Sequence, residues 1–114
     1  MTHTTTTGYR SNLIVVGYYI AKDQKATLSY SWDSAVMTID PVSTGGEEWE
    51  KFLEAYNKFC SDRNGAPLPN QTRGATPAIA KRAYGDRLKE MAETRQTYDP
   101  KGRLLNDYFR SLFT

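Results

Sequence analysis

The sequence predicts an α+β fold, a small antiparallel sheet followed by helices. Three observations predict it. The first third of the chain is rich in Val, Ile and Tyr and carries alternating apolar and polar residues. From residue 47 the apolar spacing becomes helical. Strand-like text does not return after that point, so sheet and helices are segregated rather than alternating as βαβ units.

Each element follows from its residues. Residues 1–8, Thr-rich, read as a disordered tail, and 9–114 as a single α+β segment. YRSNLIVVGYYIAK, residues 9–22, favours a strand, with Gly17 marking a bulge or a close backbone approach. In residues 26–32, Leu28, Tyr30 and Trp32 alternate with Thr27, Ser29 and Ser31, which predicts a second strand. Residues 36–39 form a third, stopped by Asp40-Pro41 and the Gly45-Gly46 pair. Trp49, Phe52, Leu53, Tyr56, Phe59 and Cys60 share one helical face, Glu47 and Glu48 suit the positive end of the helix dipole, and Asn64-Gly65 ends the helix. Thr76 caps a second helix with Pro77 at its first position. Gly85 breaks it, and a longer helix over 86–97 buries Leu88, Met91 and Ala92. Residues 98–102 make a turn, and 104–113 form an apolar tail that must dock on something.

Composition narrows the function classes. At 114 residues the chain holds one small domain. A net charge of +2 calls for neither nucleic acid nor an anionic membrane. The apolar run at residues 13–16 is too short to span a bilayer, and with no signal-like start the expected location is cytoplasmic. One cysteine, Cys60, and one histidine, His3, leave no basis for an intrachain disulfide, a cysteine zinc cluster, most metal-site designs or histidine acid–base chemistry, so no metal is expected.

Few residues invite a chemical role. Asp33 and Asp40 flank a predicted strand and read as turn and strand-end acids. Cys60 lies on an apolar helix face and reads as a small buried hydrophobe. Arg82, Arg87 and Arg95 read as a solvated face. Trp32 is read as core, with ligand lining the alternative. Asn70-Gln71-Thr72 spells a glycosylation sequon, read as a chance match.

The stretch GAPLPNQTRG, residues 65–74, is different. Pro67 and Pro69 restrict the backbone just before two amides and a hydroxyl. Two readings stand: the groups bond the loop's own backbone, or they are presented to a planar edge of mixed donors and acceptors, as in a flavin or a nucleobase.

Three pairs of stretches carry a family resemblance. They are Ser29-Tyr-Ser-Trp-Asp33 with Val36-Met-Thr-Ile-Asp-Pro41; Phe52-Leu-Glu-Ala-Tyr-Asn57 with Pro67-Leu-Pro-Asn-Gln-Thr72; and Ala83-Tyr-Gly-Asp-Arg-Leu88 with Tyr98-Asp-Pro-Lys-Gly-Arg-Leu-Leu-Asn-Asp-Tyr-Phe109. Together, over residues 9–113, they resemble the C-terminal end of FAD-linked oxidases. These are the vanillyl-alcohol-oxidase-like flavoproteins with a PCMH-type FAD-binding domain, and the nearest branch is the one with a cholesterol-oxidase-type substrate domain. The resemblance implies the C-terminal part of a cap domain that covers FAD, and oxidation of a hydroxyl-bearing small molecule. It implies Asn70, helped by Gln71 and Thr72, at the flavin ring or a substrate oxygen, Asn106 near the flavin, and Tyr30 and Trp32 lining the substrate side. The family's terminal Asn-Pro is here Asn106-Asp107. No Gly-rich pyrophosphate loop is present in these residues. The expected partner is therefore an FAD-binding domain on another chain, with the segment inactive alone. The alternatives are a standalone α+β binding module and an interaction protein that pairs, or self-associates, through a sheet edge.

Overall fold

A computed structural model describes Tyr9 and residues 13–113, apart from the side chain of Phe113; the predicted tail at residues 1–8 lies outside the described residues. The fold is α+β. Strands β1 (Val15–Ile20) and β2 (Val36–Pro41) precede helices α1 (Glu47–Asp62), α2 (Pro77–Tyr84), α3 (Arg87–Tyr98) and α4 (Asp107–Phe113).

The strands pair antiparallel, from Val15 opposite Pro41 to Ile20 opposite Val36. The register runs through Gly17 opposite Ile39 without a bulge. Gly17 instead allows a close approach, since a Cβ there would lie 3.3 Å from the Thr38 carbonyl oxygen. One face of this ribbon carries Val15, Tyr19, Met37 and Ile39, all more than half exposed. The ribbon packs chiefly on itself. A tie to the helices comes from Tyr56 on α1, whose hydroxyl donates to the Ile39 carbonyl at 2.9 Å.

Among the described residues the sheet has two strands, not three. Residues 26–32, expected as a strand, fold as turns. Alternation needs a partner strand to become a ladder, and β1 pairs directly with β2. The carbonyls of Thr27 and Ser29 instead accept from Arg87 Nη1 at 3.0 and 2.8 Å. Burial is correspondingly inverted. Ser29 and Ser31 are buried, their hydroxyls 3.2 Å apart, while Leu28, Tyr30 and Trp32 are half-buried. The Arg87 guanidinium lies 4.6 Å from the centre of the Trp32 ring and 5.2 Å from that of Tyr84. Arg87 is therefore a structural tie and not part of a solvated face. Arg82 keeps that exposed character, 3.6 Å from Asp62.

The helices follow their local signals. Thr76 Oγ1 accepts from the Ile79 N–H at 3.3 Å, with Pro77 at the first position of α2. Trp49 and Phe52 on α1 stack with Tyr9 and Tyr56 at centroid distances of 4.9–5.5 Å. Ala80 and Tyr84 of α2 and Leu112 of α4 complete the buried apolar set. The apolar tail thus docks through Leu112, while Leu104 stays 88% exposed. The expected stripe on α3 is only half-buried at Leu88, Met91 and Ala92, and no α3 residue is fully buried.

Helix α1 ends where the Gly65 N–H reaches the Cys60 carbonyl at 2.8 Å, after Asn64 at φ 62°. A Cβ on Gly65 would sit 2.8 Å from that carbonyl oxygen, so the backbone must move to admit one. Gly65→Ala should cost about 1–3 kcal/mol in urea unfolding; an unchanged midpoint would show that the turn yields freely.

Candidate functional site

The loop at residues 65–74 leaves α1 and enters α2 over the buried face of the helices. Its prolines restrict it, but donors from outside fix it. Asn57 of α1, itself buried, donates from Nδ2 to the Arg73 carbonyl at 2.9 Å. Tyr84 of α2 donates to the Pro67 carbonyl. Tyr108 of α4 donates to the Thr72 carbonyl at 3.0 Å. Burial pushes the phenols of Tyr84 and Tyr108 up, so both hold their protons as donors through neutral pH. Arg73 adds an exposed ion pair to Glu50 at 3.0 Å.

Within the loop, Thr72 and Leu68 bond each other twice. The Leu68 N–H donates to Thr72 Oγ1 at 3.0 Å, and the Thr72 N–H returns to the Leu68 carbonyl at 2.8 Å. Thr72 therefore serves the loop itself. Asn70 and Gln71 do not: both are exposed, and their amides bond no described residue. The two sequence readings thus divide along the loop, with Thr72 turned to the backbone and the amides left available.

Asn70 stands on the rim of a groove of about 520 Å³. That is a ring-sized volume, within the range of small-molecule sites. Pro69 and Leu28 continue the Asn70 side. Helix α3 lines it with Met91, Arg95 and Tyr98, and Leu105 and Phe109 follow from beyond the turn. The lining is apolar except for a few polar groups, Asn70, Thr94, Arg95 and Asp99 among them.

The turn after α3 is built around Asp99. Its Oδ2 accepts from the Leu104 N–H at 3.0 Å and its Oδ1 from the Arg103 N–H at 2.9 Å. Its carbonyl accepts from Gly102 N–H, which adopts φ +60°, and from Arg95 Nη1 at 3.3 Å. The Leu104 N–H is the main influence holding the carboxyl below the usual carboxylate range, with Arg103 N–H and the Arg95 charge adding to it. Arg95 is half-buried and engaged here, which corrects its reading as a solvated residue.

The remaining candidates sit elsewhere. Asn106 is exposed and caps α4, its Oδ1 accepting from the Phe109 N–H at 2.9 Å. It does not line the groove. Tyr30 and Trp32 are half-buried on the Arg87-tied segment, and neither lines the groove, which takes Leu28 from that segment. Asp33 and Asp40 are exposed. Cys60 is half-buried, and burial pushes its thiol up, which suits an inert packing residue. Among the described residues no cluster of His, Cys, Asp and Glu could hold a metal, and no helix is long and apolar enough to cross a membrane. Sequence reasoning missed Arg95, Asp99 and the tyrosine donors. Their signal was the repeated placement of Tyr on helices next to a proline-interrupted loop whose carbonyls lack ladder partners.

Comparison with protein-family models, with curated proteins and with solved structures returns no match.

Two outcomes follow from this geometry. Tyr108→Phe should lose about 0.5–1.5 kcal/mol, the worth of one hydrogen bond, and speed amide exchange at residues 68–72. Slow exchange retained there would remove Tyr108 from the clamp. Asp99 has a depressed pKa in the folded state, so its contribution is full above its unfolded value and lost as pH falls through the folded one. The gap in melting temperature between wild type and Asp99→Asn should be widest near neutrality and close below pH about 4. A gap independent of pH would refute the carboxylate's role.

Proposed function

We propose that this chain forms the flavin-edge and substrate-side segment of an FAD-dependent oxidoreductase acting on a hydroxyl-bearing small molecule. The FAD-binding domain is supplied from outside these 114 residues. The observation that carries the reading is the amide of Asn70. It is exposed, bonded to no described residue, and stands at a ring-sized groove on a loop that three helices hold in place. A preorganised neutral donor–acceptor group suits the polar edge of an isoalloxazine ring. The groove fits one ring system and not a dinucleotide, in keeping with a segment that meets only the flavin edge.

When bound, the flavin supplies the hydride acceptor for oxidation of the hydroxyl-bearing carbon. The chain's own residues orient and exclude water. Asn70, with Gln71 beside it, donates and accepts at the ring edge or a substrate oxygen. Met91, Leu105 and Phe109 provide the apolar wall. Thr72 contributes by fixing the loop, and Asn106 by starting α4, which brings Tyr108 to the loop. Tyr30 and Trp32 extend the surface on the Arg87 side.

The exposed ribbon supports a partner of some kind, since an apolar face more than half open at Val15, Tyr19, Met37 and Ile39 costs a free molecule solubility. The same ribbon favours a second reading, an interaction module whose open sheet edge pairs with a partner strand or a second copy.

Protein purified gently from its native source should carry a visible flavin spectrum, and a colourless preparation that sediments as a strand-paired dimer would favour the second reading. In enzyme reconstituted with its FAD-binding domain, Asn70→Ala should slow flavin reduction by roughly tenfold or more. An unchanged rate would discard the role given to Asn70.

A further inference from the structure

The groove beside Asn70 holds a cation that its surroundings leave incompletely matched. Arg95 Nη1 reaches the Asp99 carbonyl at 3.3 Å and Nη2 the Gln96 side-chain oxygen at 3.4 Å. Both contacts are long, and both go to neutral oxygens. Arg95 Nε is buried and has no hydrogen-bond partner among the described residues. Among the described residues no carboxylate reaches Arg95 at ion-pair distance, although its charge acts on the nearby Asp99 carboxylate. Asp99 shares the groove, but each of its oxygens already accepts a backbone N–H. A half-buried guanidinium with one unpaired N–H and no carboxylate in direct contact is costly to keep, and a planar anion that accepts two parallel N–H bonds relieves it best.

The rest of the groove states what else the ligand must carry. Leu28, Pro69, Met91, Leu105 and Phe109 offer apolar surface around about 520 Å³, enough for a one- or two-ring body. We infer that the groove binds an apolar monocarboxylate, its rings against Met91 and Phe109 and its carboxylate on Arg95. The carboxylate displaces the two long Nη contacts, and a swing of the side chain towards the groove pairs Nε–H in the same two-bond fork. The groove has room for one ring body at a time, so this ligand would occupy it in place of the flavin edge; the inference is tested without flavin, so either reading can fail alone.

The probe is naphthoate, with uncharged naphthamide as its matched control, titrated into the full chain. Nitrogen–proton correlation spectra follow the Arg95 Nε–H and the Asn70 side-chain amide. Naphthoate should bind roughly tenfold more tightly than naphthamide and shift both signals. Arg95→Gln should bring naphthoate to the level of naphthamide. Arg95 also touches the Asp99 turn, so Leu104→Asp provides a second variant, at a groove-lining side chain that is 88% exposed and leaves the Leu104 N–H in place. The lost apolar contact acts on both probes, and the added negative charge should weaken naphthoate severalfold more than naphthamide. Equal affinities for the two probes, shifts confined to the strand ribbon, or naphthoate binding indifferent to Leu104→Asp would each overturn the inference.

Discussion

The structure depends on hydrogen bonds to the carbonyls of one loop. Residues 65–74 hold no ladder partner, yet they run between α1 and α2 against the buried side of the fold. Asn57, Tyr84 and Tyr108 each send a donor to a different loop carbonyl, from three different helices. A part-buried carbonyl left without a partner loses much of the worth of a hydrogen bond, so each of these donors ties its helix to the loop. The apolar core is correspondingly small: Trp49, Phe52, Ala80, Tyr84 and Leu112 among the described residues. In this chain polar satisfaction does much of the positioning that a larger domain would leave to packing.

Arg87 extends the same logic to the other end. It gathers the carbonyls of Thr27, Ser29 and Ala83 and lies over Trp32, joining a strand-poor segment to the corner between α2 and α3. Its planar fork can reach several carbonyls at once, which an ammonium on a flexible stem does less well. The ribbon, by contrast, has no such clasp beyond Tyr56 and a few neighbouring contacts. The molecule is thus organised at the groove and open at the sheet.

Local rules made most of the helical half legible. Thr76-Pro77, Asn64-Gly65 and Gly85 mark boundaries through backbone chemistry that acts within a few residues, and the structure keeps them. Residues 26–32 were not legible, because alternation shows which side chains share a face but not whether a strand lies alongside. The deciding contact comes from Arg87, some sixty residues away. At the groove, the loop was legible from its prolines and amides. Which group turns inward was not, since the Thr72 hydroxyl is claimed by the Leu68 N–H through the loop's own closure. Arg95 escaped for a related reason. Helical spacing assigns it a face, but its environment is set by the Asp99 turn and by α4, neither of which follows from the period of α3.

The open ribbon has a consequence for how the chain behaves in bulk. Six residue pairs form a ladder whose two edges pair with no other strand among the described residues, so either edge offers donors and acceptors to an approaching strand. Asp40 supplies a charge and Pro41 withholds a donor near one end of β2, and these restrain the edge locally. A change at the sheet edge would therefore bear first on association between copies, and a change at the loop or its three donors first on resistance to denaturant. Two properties usually measured as one would then answer to different parts of the chain.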